Sequence, residues 1–453
     1  MFSKILVANR GEIAVRIIRA CKEMGIATVA VHSLADANAL HVNLADESIC
    51  IGGNSVRESY LNMDSILSAA ICTEAEAIHP GYGLLSENPR FAELCEKCNF
   101  TFIGPTADVI RIMGDKEKAR KTMTDAGIPV VPGSSVIEDP LEARHEADRI
   151  GYPLLCKARA GGGGRGIRLV NGPEEFESAF QTASIEAKAA FGDGGIYLEK
   201  YINPAKHIEV QLLCDHFGNA VCLGERECSM QRKNQKVIEE SPSPSVNEAT
   251  RRKLIETSLM AAKAVGYRNA GTIEYILDKD GNFYFMEMNT RLQVEHPVTE
   301  MITGIDIVKW QLRIAEEVPL PFVQEDIRFT GHAIECRINA ENPYMDFRPG
   351  CGEITLLHIP GGPWVRFDSA VYQGYSVPPF YDSMIGKLMV HGTDREEAIR
   401  KMQASLCELI IEGVEHNADF HMELLNQPAF IDGSYDTGFL NRLLAERQPQ
   451  GKC

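Results

Sequence analysis

The chain has 453 residues, more than a single hydrophobic core usually serves, so two or three domains are expected. Hydrophobic residues make up 44% of the sequence and charged residues 24%, a globular composition that excludes a disordered chain. The formal net charge of −17 provides no basic field, which argues against nucleic acid or an anionic membrane surface as the main partner.

The cysteines and the N-terminus bear on the cellular compartment. Thirteen cysteines are scattered without the spacing of a disulfide framework. The first apolar run, residues 1–8, is too short for a signal peptide, and no run reaches the roughly 18 apolar residues of a membrane span. We therefore expect a soluble, cytoplasmic protein. The only C-x-x-C, Cys95 to Cys98, falls in a helical pattern, and a metal or redox role there is the less favoured alternative.

The first block, residues 1–114, alternates β-rich runs with segments of helical periodicity, which predicts a doubly wound domain around a parallel sheet. Its first strand-to-helix turn carries one glycine, Gly11, and no G-x-G-x-x-G, so a dinucleotide site is not expected there. The predicted strands are Lys4–Ala8, Ala27–His32, Glu47–Ile51, Ala77–His79 and Thr101–Ile103.

The second block, residues 115–330, begins with a charged helix near Lys116 and contains a glycine run between two β-type segments, 153–158 and 167–170. The run has neither the Rossmann nor the P-loop context. Its bare backbone N–H groups predict a hairpin that closes over phosphates, with Lys157 at its mouth, although a plain linker remains an alternative. We place this lid at about residues 131–203.

The third block, residues 331–446, is β-rich first and then helical, which predicts an α+β domain. The predicted strands are 333–338, 352–358 and 383–390, and the predicted helix is 395–411.

A hairpin at residues 272–289 carries the main chemical argument. If Asp280 and Gly281 form a two-residue loop, the residue numbers of every facing pair in the hairpin add up to the same total. Glu274 then lies opposite Glu287. Facing like charges are destabilising unless something compensates, and Asn289 falls on the same face. These oxygen donors suit Mg²⁺ or Mn²⁺ bridging nucleotide phosphates. A solvated surface pair is the alternative.

A polar row continues this face. If the chain stays extended to Pro297, then Arg291, Gln293 and Glu295 follow Glu287 and Asn289 on one side. Arginine and glutamine can hold a small planar oxyanion, and a glutamate at the end of the row can take its proton. An exposed amphipathic edge strand is the alternative.

At this point the sequence resembles the biotin carboxylases over essentially its whole length. The segments that carry the resemblance are Leu6-Val-Ala-Asn-Arg-Gly-Glu-Ile-Ala, His79-Pro-Gly-Tyr-Gly, Gly161 to Gly166, Glu225-Arg-Glu-Cys-Ser-Met-Gln-Arg, Glu287-Met-Asn-Thr-Arg with Gln293-Val-Glu-His-Pro, and Glu335-Cys-Arg-Ile-Asn-Ala-Glu. The resemblance implies an ATP-grasp central domain with a glycine-rich lid, between a doubly wound N-terminal domain and an α+β C-terminal domain. It further implies ATP- and bicarbonate-dependent carboxylation of biotin through carboxyphosphate.

The resemblance also implies roles for individual residues. The implied ATP-binding residues are Lys116, Lys157, Gly162, Gly163, Gly164, Glu199, Lys200, Ile202, His207, Gln231 and Asn234, and the implied metal ligands are Glu274, Glu287 and Asn289. Bicarbonate would be held by Lys236, Arg291, Gln293 and Val294 and deprotonated by Glu295, while Tyr82, Gly83 and Arg337 would meet biotin. The catalytic set is thus Glu295, Arg291, Arg337 and Lys236. Asn234 stands where the family usually has histidine, Arg159 where it has a small residue, and Cys156 where valine is common.

The partners follow in part from what the sequence lacks. It has no Met-Lys-Met biotinylation tripeptide, so we expect biotin to arrive on a separate biotin carboxyl carrier protein. The resemblance implies a homodimer working with carboxyltransferase subunits, as in acetyl-CoA carboxylase, with a pyruvate or other acyl-CoA carboxylase as the alternative. An ATP-grasp ligase for another carboxylate and a regulatory ATP-binding module remain competing hypotheses, and Glu295, Arg291 and Arg337 favour the carboxylase over that ligase.

Overall fold

The computed structural model describes residues 1–159 and 166–447, without the side chains of residues 190 and 191. It has an N-terminal α/β domain, a small lid sheet, and one large antiparallel sheet to which the second and third blocks of the sequence both contribute. The predicted fold class is confirmed. The limits at residues 114 and 330 stay predictions, and hydrogen bonds of the large sheet cross the second of them.

The N-terminal sheet is parallel throughout, in the order β3-β2-β1-β4-β5. Apolar strands packed by helices on both faces produce two cores, one around Ile5 and Ile17 and one around Leu6 and Ile66. The strand order reverses between β1 and β4, and loops that follow such strands form the ligand crevice of doubly wound sheets. The elements are β1 Lys4–Val7, α1 Gly11–Glu23, β2 Ala27–Ser33, α2 Leu40–Leu44, β3 Glu47–Gly52, α3 Met63–Cys72, β4 Ala77–His79, α4 Pro89–Lys97, β5 Thr101–Phe102 and α5 Ala107–Gly114.

The lid is a three-stranded antiparallel sheet, in the order β7-β6-β8, with two helices packed on it. Phe176 and Phe180 stack in its separate core, because a sheet this small buries its apolar face only under helices. The elements of this region are α6 Lys116–Asp125, α7 Pro140–Ile150, β6 Leu154–Ala158, β7 Ile167–Val170, α8 Pro173–Phe191 and β8 Ile196–Lys200. Gly162, Gly163 and Gly164 lie outside the described residues.

The large sheet has eight antiparallel strands in the order β13-β12-β9-β10-β11-β14-β21-β19. Neighbouring strands therefore come from distant parts of the sequence, and β11 of the central block pairs with β14 of the C-terminal block. Helix α10 packs across β10, β11, β14 and β21. The central elements are β9 Ala205–Cys214, β10 Ala220–Arg232, β11 Gln235–Ser241, α9 Glu248–Ala264, β12 Asn269–Asp278, β13 Phe283–Asn289, α10 His296–Thr303 and α11 Ile307–Ala315.

The C-terminal block differs from the prediction in two places. The single strand expected at 352–358 is two short strands that pair with different partners, β20 and β22, because the buried Ile354 between them turns into the core. The helix expected to reach 411 ends at Glu408, and a strand follows it. The elements are β14 His332–Asn339, β15 Glu341–Asn342, β16 Arg348–Pro349, β17 Gly352–Glu353, β18 Leu356–His358, β19 Val365–Ser369, β20 Ser376–Val377, β21 Met384–Gly392, α12 Arg395–Glu408, β22 Ile410–Glu412, α13 Ala418–Leu425, α14 Pro428–Ile431 and α15 Phe439–Arg447.

None of the helices in the described ranges is long and apolar enough to cross a membrane.

Candidate active site

The hairpin of β12 and β13 does place Glu274 opposite Glu287, but by a different route from the predicted one. Asp278 and Asn282 close a three-residue loop, so the two-residue Asp280-Gly281 loop is wrong. The register then shifts by one residue between Glu274 and Tyr275, where β13 carries a bulge. The longer loop and the bulge offset each other, and the two carboxylates meet as the simple count predicts.

Glu274 is the hub of the site. Its Oε1 accepts hydrogen bonds from Lys236 Nζ, Asn289 Nδ2 and Gln293 Nε2, each at 3.0 Å, and its Oε2 lies 3.0 Å from His207 Nε2. Burial opposes its ionisation, but Lys236 and His207 hold the pKa of Glu274 well below its usual range. Glu274 is therefore a carboxylate across the neutral pH range.

Glu287 has the opposite electrostatic setting. Its side chain keeps an exposed fraction, but partial loss of water around the carboxyl group and the facing charge of Glu274 raise its pKa, with a smaller opposing effect from Lys116 at the start of α6. An acid whose charge is disfavoured by its neighbour is one that a divalent cation would neutralise. The donor set of Glu274, Glu287 and Asn289 offers oxygen only, which fits Mg²⁺ or Mn²⁺. Asn289 directs its Nδ2 at Glu274 here, so its amide would have to turn to present an oxygen.

The polar row after Asn289 is not a strand. β13 ends there, the chain bends, and α10 starts at His296 with Glu295 at its N-cap. Pro297 explains the change, because its fixed φ and missing N–H suit the first turn of a helix. The prediction of an extended chain to Pro297 is therefore wrong. The bend still turns Arg291 towards Gln293 and Asn289, with donor–acceptor distances of 2.9 and 3.0 Å.

Glu295 lies between two cations. Its Oε1 accepts from Lys236 Nζ at 2.6 Å, and its Oε2 accepts from Arg337 Nη2 at 3.0 Å. Burial opposes the charge, but Lys236 and Arg337 bring the pKa of Glu295 well below its usual value. Lys236 also donates to Glu209 at 2.6 Å and to Glu274. A small anion that drew these two cations away would leave Glu295 free to accept a proton.

The residues predicted to bind the nucleotide fall into two groups. Lys157 Nζ forms an ion pair with Glu199, while Lys200 Nζ donates to the carbonyls of Gly151 and Tyr152 at 3.2 and 2.8 Å. These contacts fix the lid strands β6 and β8 to each other and to the segment before β6. The second group joins the large sheet. Gln231 pairs with Lys236 across β10 and β11, Asn234 occupies the left-handed turn between those strands with φ 65°, and Ile202 follows β8.

The residues predicted to meet biotin come from separate domains. Tyr82 and Gly83 lie in the loop after β4, at the point where the N-terminal strand order reverses. Asn9, in the loop after β1, holds this loop through Nδ2, which donates to the Tyr82 carbonyl at 2.8 Å. The Tyr82 hydroxyl donates to Glu12, and burial together with that carboxylate raises the pKa of Tyr82. Arg337 on β14 lies opposite Lys387 of β21, whose ammonium group is 6.0 Å from the centre of the Tyr82 ring. Beside Arg337 opens a cleft lined by Arg232, Gln235, Lys236, Phe347 and Asn417.

Several residues of the site were missed by sequence reasoning. Glu209 could have been found, since His207, Glu209 and Gln211 alternate with apolar residues on β9. Glu239 accepts a hydrogen bond from Arg337 Nε at 2.7 Å, and Glu87 of the N-terminal domain accepts one from Arg291 Nε at 2.8 Å. No local pattern points to these two, because each acts on a residue from another part of the chain.

Two departures from the family pattern have simple surroundings. Arg159 pairs with Asp193 through Nε and Oδ2 at 2.7 Å, at the edge of the lid sheet. Cys156 is buried in the lid core. Neither side chain contacts the carboxylate and cation cluster around Glu274.

Three family models match consecutive parts of the chain. They are described as the biotin carboxylase N-terminal domain, over residues 1–110, the ATP-binding domain of the carbamoyl-phosphate synthase L chain, over 115–323, and the biotin carboxylase C-terminal domain, over 335–442. A biotin carboxylase of a Nostoc species is 54% identical over 443 residues, which are 98% of this chain and 99% of that protein.

Solved structures agree with this. The complex of a Campylobacter jejuni biotin carboxylase with β-γ-ATP superposes with a TM-score of 0.94 at 51% identity, covering 98% of this chain and 99% of that one. The biotin carboxylase domain dimer of the Hydrogenobacter thermophilus 2-oxoglutarate carboxylase, with MgADP, ADP and bicarbonate, gives a TM-score of 0.92 at 50% identity, covering 98% of both chains.

Proposed function

This chain belongs to the biotin carboxylase family, and we propose that it carboxylates biotin on a separate carrier protein as the biotin carboxylase subunit of an acetyl-CoA carboxylase. It is an ATP-grasp enzyme of ATP-dependent carboxylation. The observation that carries the proposal is the joining of two charge clusters through Lys236. This one ammonium group contacts Glu274 on the metal side and Glu295 on the bicarbonate side.

ATP would lie between the lid and the large sheet. Lys157 and Lys116, with the backbone of Gly162, Gly163 and Gly164, would hold its phosphates. The adenine side would be formed by Glu199, Lys200, Ile202, His207, Gln231 and Asn234. Glu274, Glu287 and Asn289 would hold Mg²⁺ or Mn²⁺, which when bound neutralises charge on the phosphates. The facing carboxylates support this assignment, because they are unfavourable neighbours without a cation.

Bicarbonate would enter the cluster beside Arg291, Gln293, Val294 and Lys236. In the structure Glu295 is neutralised by Lys236 and Arg337, so it is a poor proton acceptor at rest. An incoming anion competes for those cations and leaves the carboxylate free. Glu295 then removes the bicarbonate proton, and the resulting oxyanion attacks the γ-phosphate of ATP, so that carboxyphosphate forms as the bond to the departing ADP breaks.

The carboxyphosphate formed in this way would divide into CO₂ and phosphate, and the phosphate would remove the ureido N–H proton of biotin. Arg337, released from Glu295, would stabilise the enolate-like oxygen while the ureido nitrogen captures CO₂. Tyr82 and Gly83 would border the biotin ring. The loops after β1 and β4, where the strand order reverses, are hydrogen-bonded to each other, and such loops form the ligand crevice of a doubly wound sheet. This supports the assignment of Tyr82 and Gly83 to biotin.

The proposal extends to the partners and to the final acceptor of the carboxyl group. We take the partners to be a biotin carboxyl carrier protein, carboxyltransferase subunits and a second copy of the chain, since the related Hydrogenobacter domain forms a dimer. Acetyl-CoA is the proposed acceptor and pyruvate or another acyl-CoA the alternative, because similar solved structures belong to a 2-oxoglutarate carboxylase and to a pyruvate carboxylase. Cysteines are free thiols wherever the structure describes them, which agrees with a reducing, cytoplasmic compartment.

The test is ADP release measured with and without bicarbonate and free biotin. Turnover should need bicarbonate and rise with biotin, and bicarbonate-independent turnover would contradict the proposal. Glu295→Ala should lose about 10²- to 10⁴-fold in turnover while binding Mg-ATP normally. The matched control is Glu256→Ala, an exposed glutamate on α9 that should leave turnover unchanged. Near-normal turnover of Glu295→Ala would remove Glu295 from the mechanism.

A further inference from the structure

Lys387 on β21 is fully buried, with 0% of its side chain exposed. It faces Arg337 on β14 and Asp368 on β19, so all three side chains lie on the same face of the large sheet. Its Nζ donates to the backbone carbonyl of Val294 at 2.7 Å and lies 3.2 Å from Glu12 Oε1. A buried ammonium group is costly unless it is paired, so these two contacts define where it sits.

The same carboxylate oxygen of Glu12 accepts the hydroxyl of Tyr82. The Lys387 ammonium group lies 6.0 Å from the centre of the Tyr82 ring. A continuous chain of polar contacts therefore runs from the Val294 carbonyl through Lys387 and Glu12 to Tyr82. It joins the bend before α10 to the loop after β4 of the N-terminal domain.

The contact with Val294 acts on Glu295 through the peptide plane. The carbonyl of Val294 and the N–H of Glu295 belong to one planar group, so fixing the carbonyl also fixes the start of Glu295. No other side chain in the described ranges donates to that carbonyl. Glu295, the proposed proton acceptor, and Tyr82, the proposed biotin-side tyrosine, are thus both held by the Lys387–Glu12 pair.

We propose that Lys387 and Glu12 are positioning residues that hold Glu295 and Tyr82 at a fixed separation. This inference rests on the proposed function, because it assigns the two held residues to bicarbonate and biotin. The separation matters since CO₂ made at one place must be captured at the other before it escapes. Misplacement of reacting groups by about 1 Å can cost about 100-fold in rate. Neither Lys387 nor Glu12 is assigned a contact with substrate.

Two double variants separate positioning from plain structural support. Lys387→Met with Glu12→Gln removes the donor to Val294 and both charges of the Lys387–Glu12 pair, while Asp368, which faces Lys387, keeps its ion pair with Arg366. Lys387→Gln with Glu12→Gln is also uncharged at both positions but keeps an N–H donor for the carbonyl. We expect the first to lose about ten- to hundredfold in kcat/KM for free biotin, with the KM for ATP unchanged, and the second to recover most of the loss. Thermal unfolding and MgADP binding verify that both are folded.

The outcomes discriminate clearly. Equal losses in both double variants that follow their melting temperatures would mean a structural role only, and unchanged kinetics in the first would also overturn the inference. If the first double variant does not fold, Glu12→Gln alone decides. It should raise the KM for biotin more than the KM for bicarbonate, and unchanged values of both overturn the inference. Wild-type protein without bicarbonate-dependent ADP release would instead refute the proposed function.

Discussion

Glu287→Gln tests the metal site through its electrostatics. At a separation of about 5 Å, two unit charges repel by about 3 kcal/mol at an effective dielectric constant of about 20 and by about 0.8 kcal/mol in water. Glu287 is an exposed residue, and Glu274 is already paired with Lys236 and His207, so the lower figure applies. Without metal, the free energy of unfolding of the variant should therefore be at least that of wild type, and up to about 0.5 to 1 kcal/mol higher.

A bound cation should make wild type more stable than Glu287→Gln. A ligand at 100 times its Kd stabilises the native state by about 2.7 kcal/mol, and wild type should gain this with MgADP. Glu287→Gln removes a proposed carboxylate ligand of the metal, so it should gain no more with MgADP than with ADP alone. The assay is thermal unfolding with ADP, with MgADP and without nucleotide, supported by calorimetric titration of the same samples.

Asp280→Asn is the matched control, because it makes the same charge change at the exposed tip of the same hairpin. It should keep the full Mg²⁺-dependent gain in melting temperature. A Glu287→Gln protein that also keeps the full gain would refute the reasoning, since the carboxylate pair would then not hold the metal.

Three further predictions concern stability. Neither oxygen of the buried Glu335 has a hydrogen-bond partner among the described residues, and burial raises its pKa well above the usual 4.5. The free energy of unfolding should therefore fall as the pH rises above 4.5. Glu335→Gln should remove this fall, so the melting temperature of the variant should exceed that of wild type by a margin that grows from pH 5 to pH 8. Burial opposes the charge of Glu240, but hydrogen bonds from His332 and Arg395 lower its pKa to about 2, so its stabilisation is present above pH 4.5 and lost on acidification. Glu240→Gln should therefore cost about 3 to 5 kcal/mol in urea unfolding at neutral pH. Gly413 has φ 94°, and a Cβ there would lie 2.0 Å from a backbone oxygen. Gly413→Ala should therefore lower the free energy of unfolding by at least about 1 to 3 kcal/mol in the same assay, and a loss below about 0.5 kcal/mol would contradict this prediction.

The sequence by itself determined the features that depend on local periodicity. The alternation of β-rich and helical runs predicted the parallel N-terminal sheet, and residue pairs counted outwards from one hairpin loop predicted that Glu274 faces Glu287. That pairing survived two local errors, in the loop and at the bulge, because a hairpin keeps its partners within a few residues. The expectation that Arg291, Gln293 and Glu295 act together also came from spacing, although a bend and a helix N-terminus replace the predicted strand.

Only the tertiary structure decided which distant residues complete the site. Glu239 reaches Arg337 because β11 pairs with β14, and Lys387 reaches Val294 because β21 lies next to β14 beneath α10. These contacts join residues about a hundred positions apart. The order of strands in a sheet depends on the burial of apolar faces across the whole chain, and short-range spacing carries no record of it.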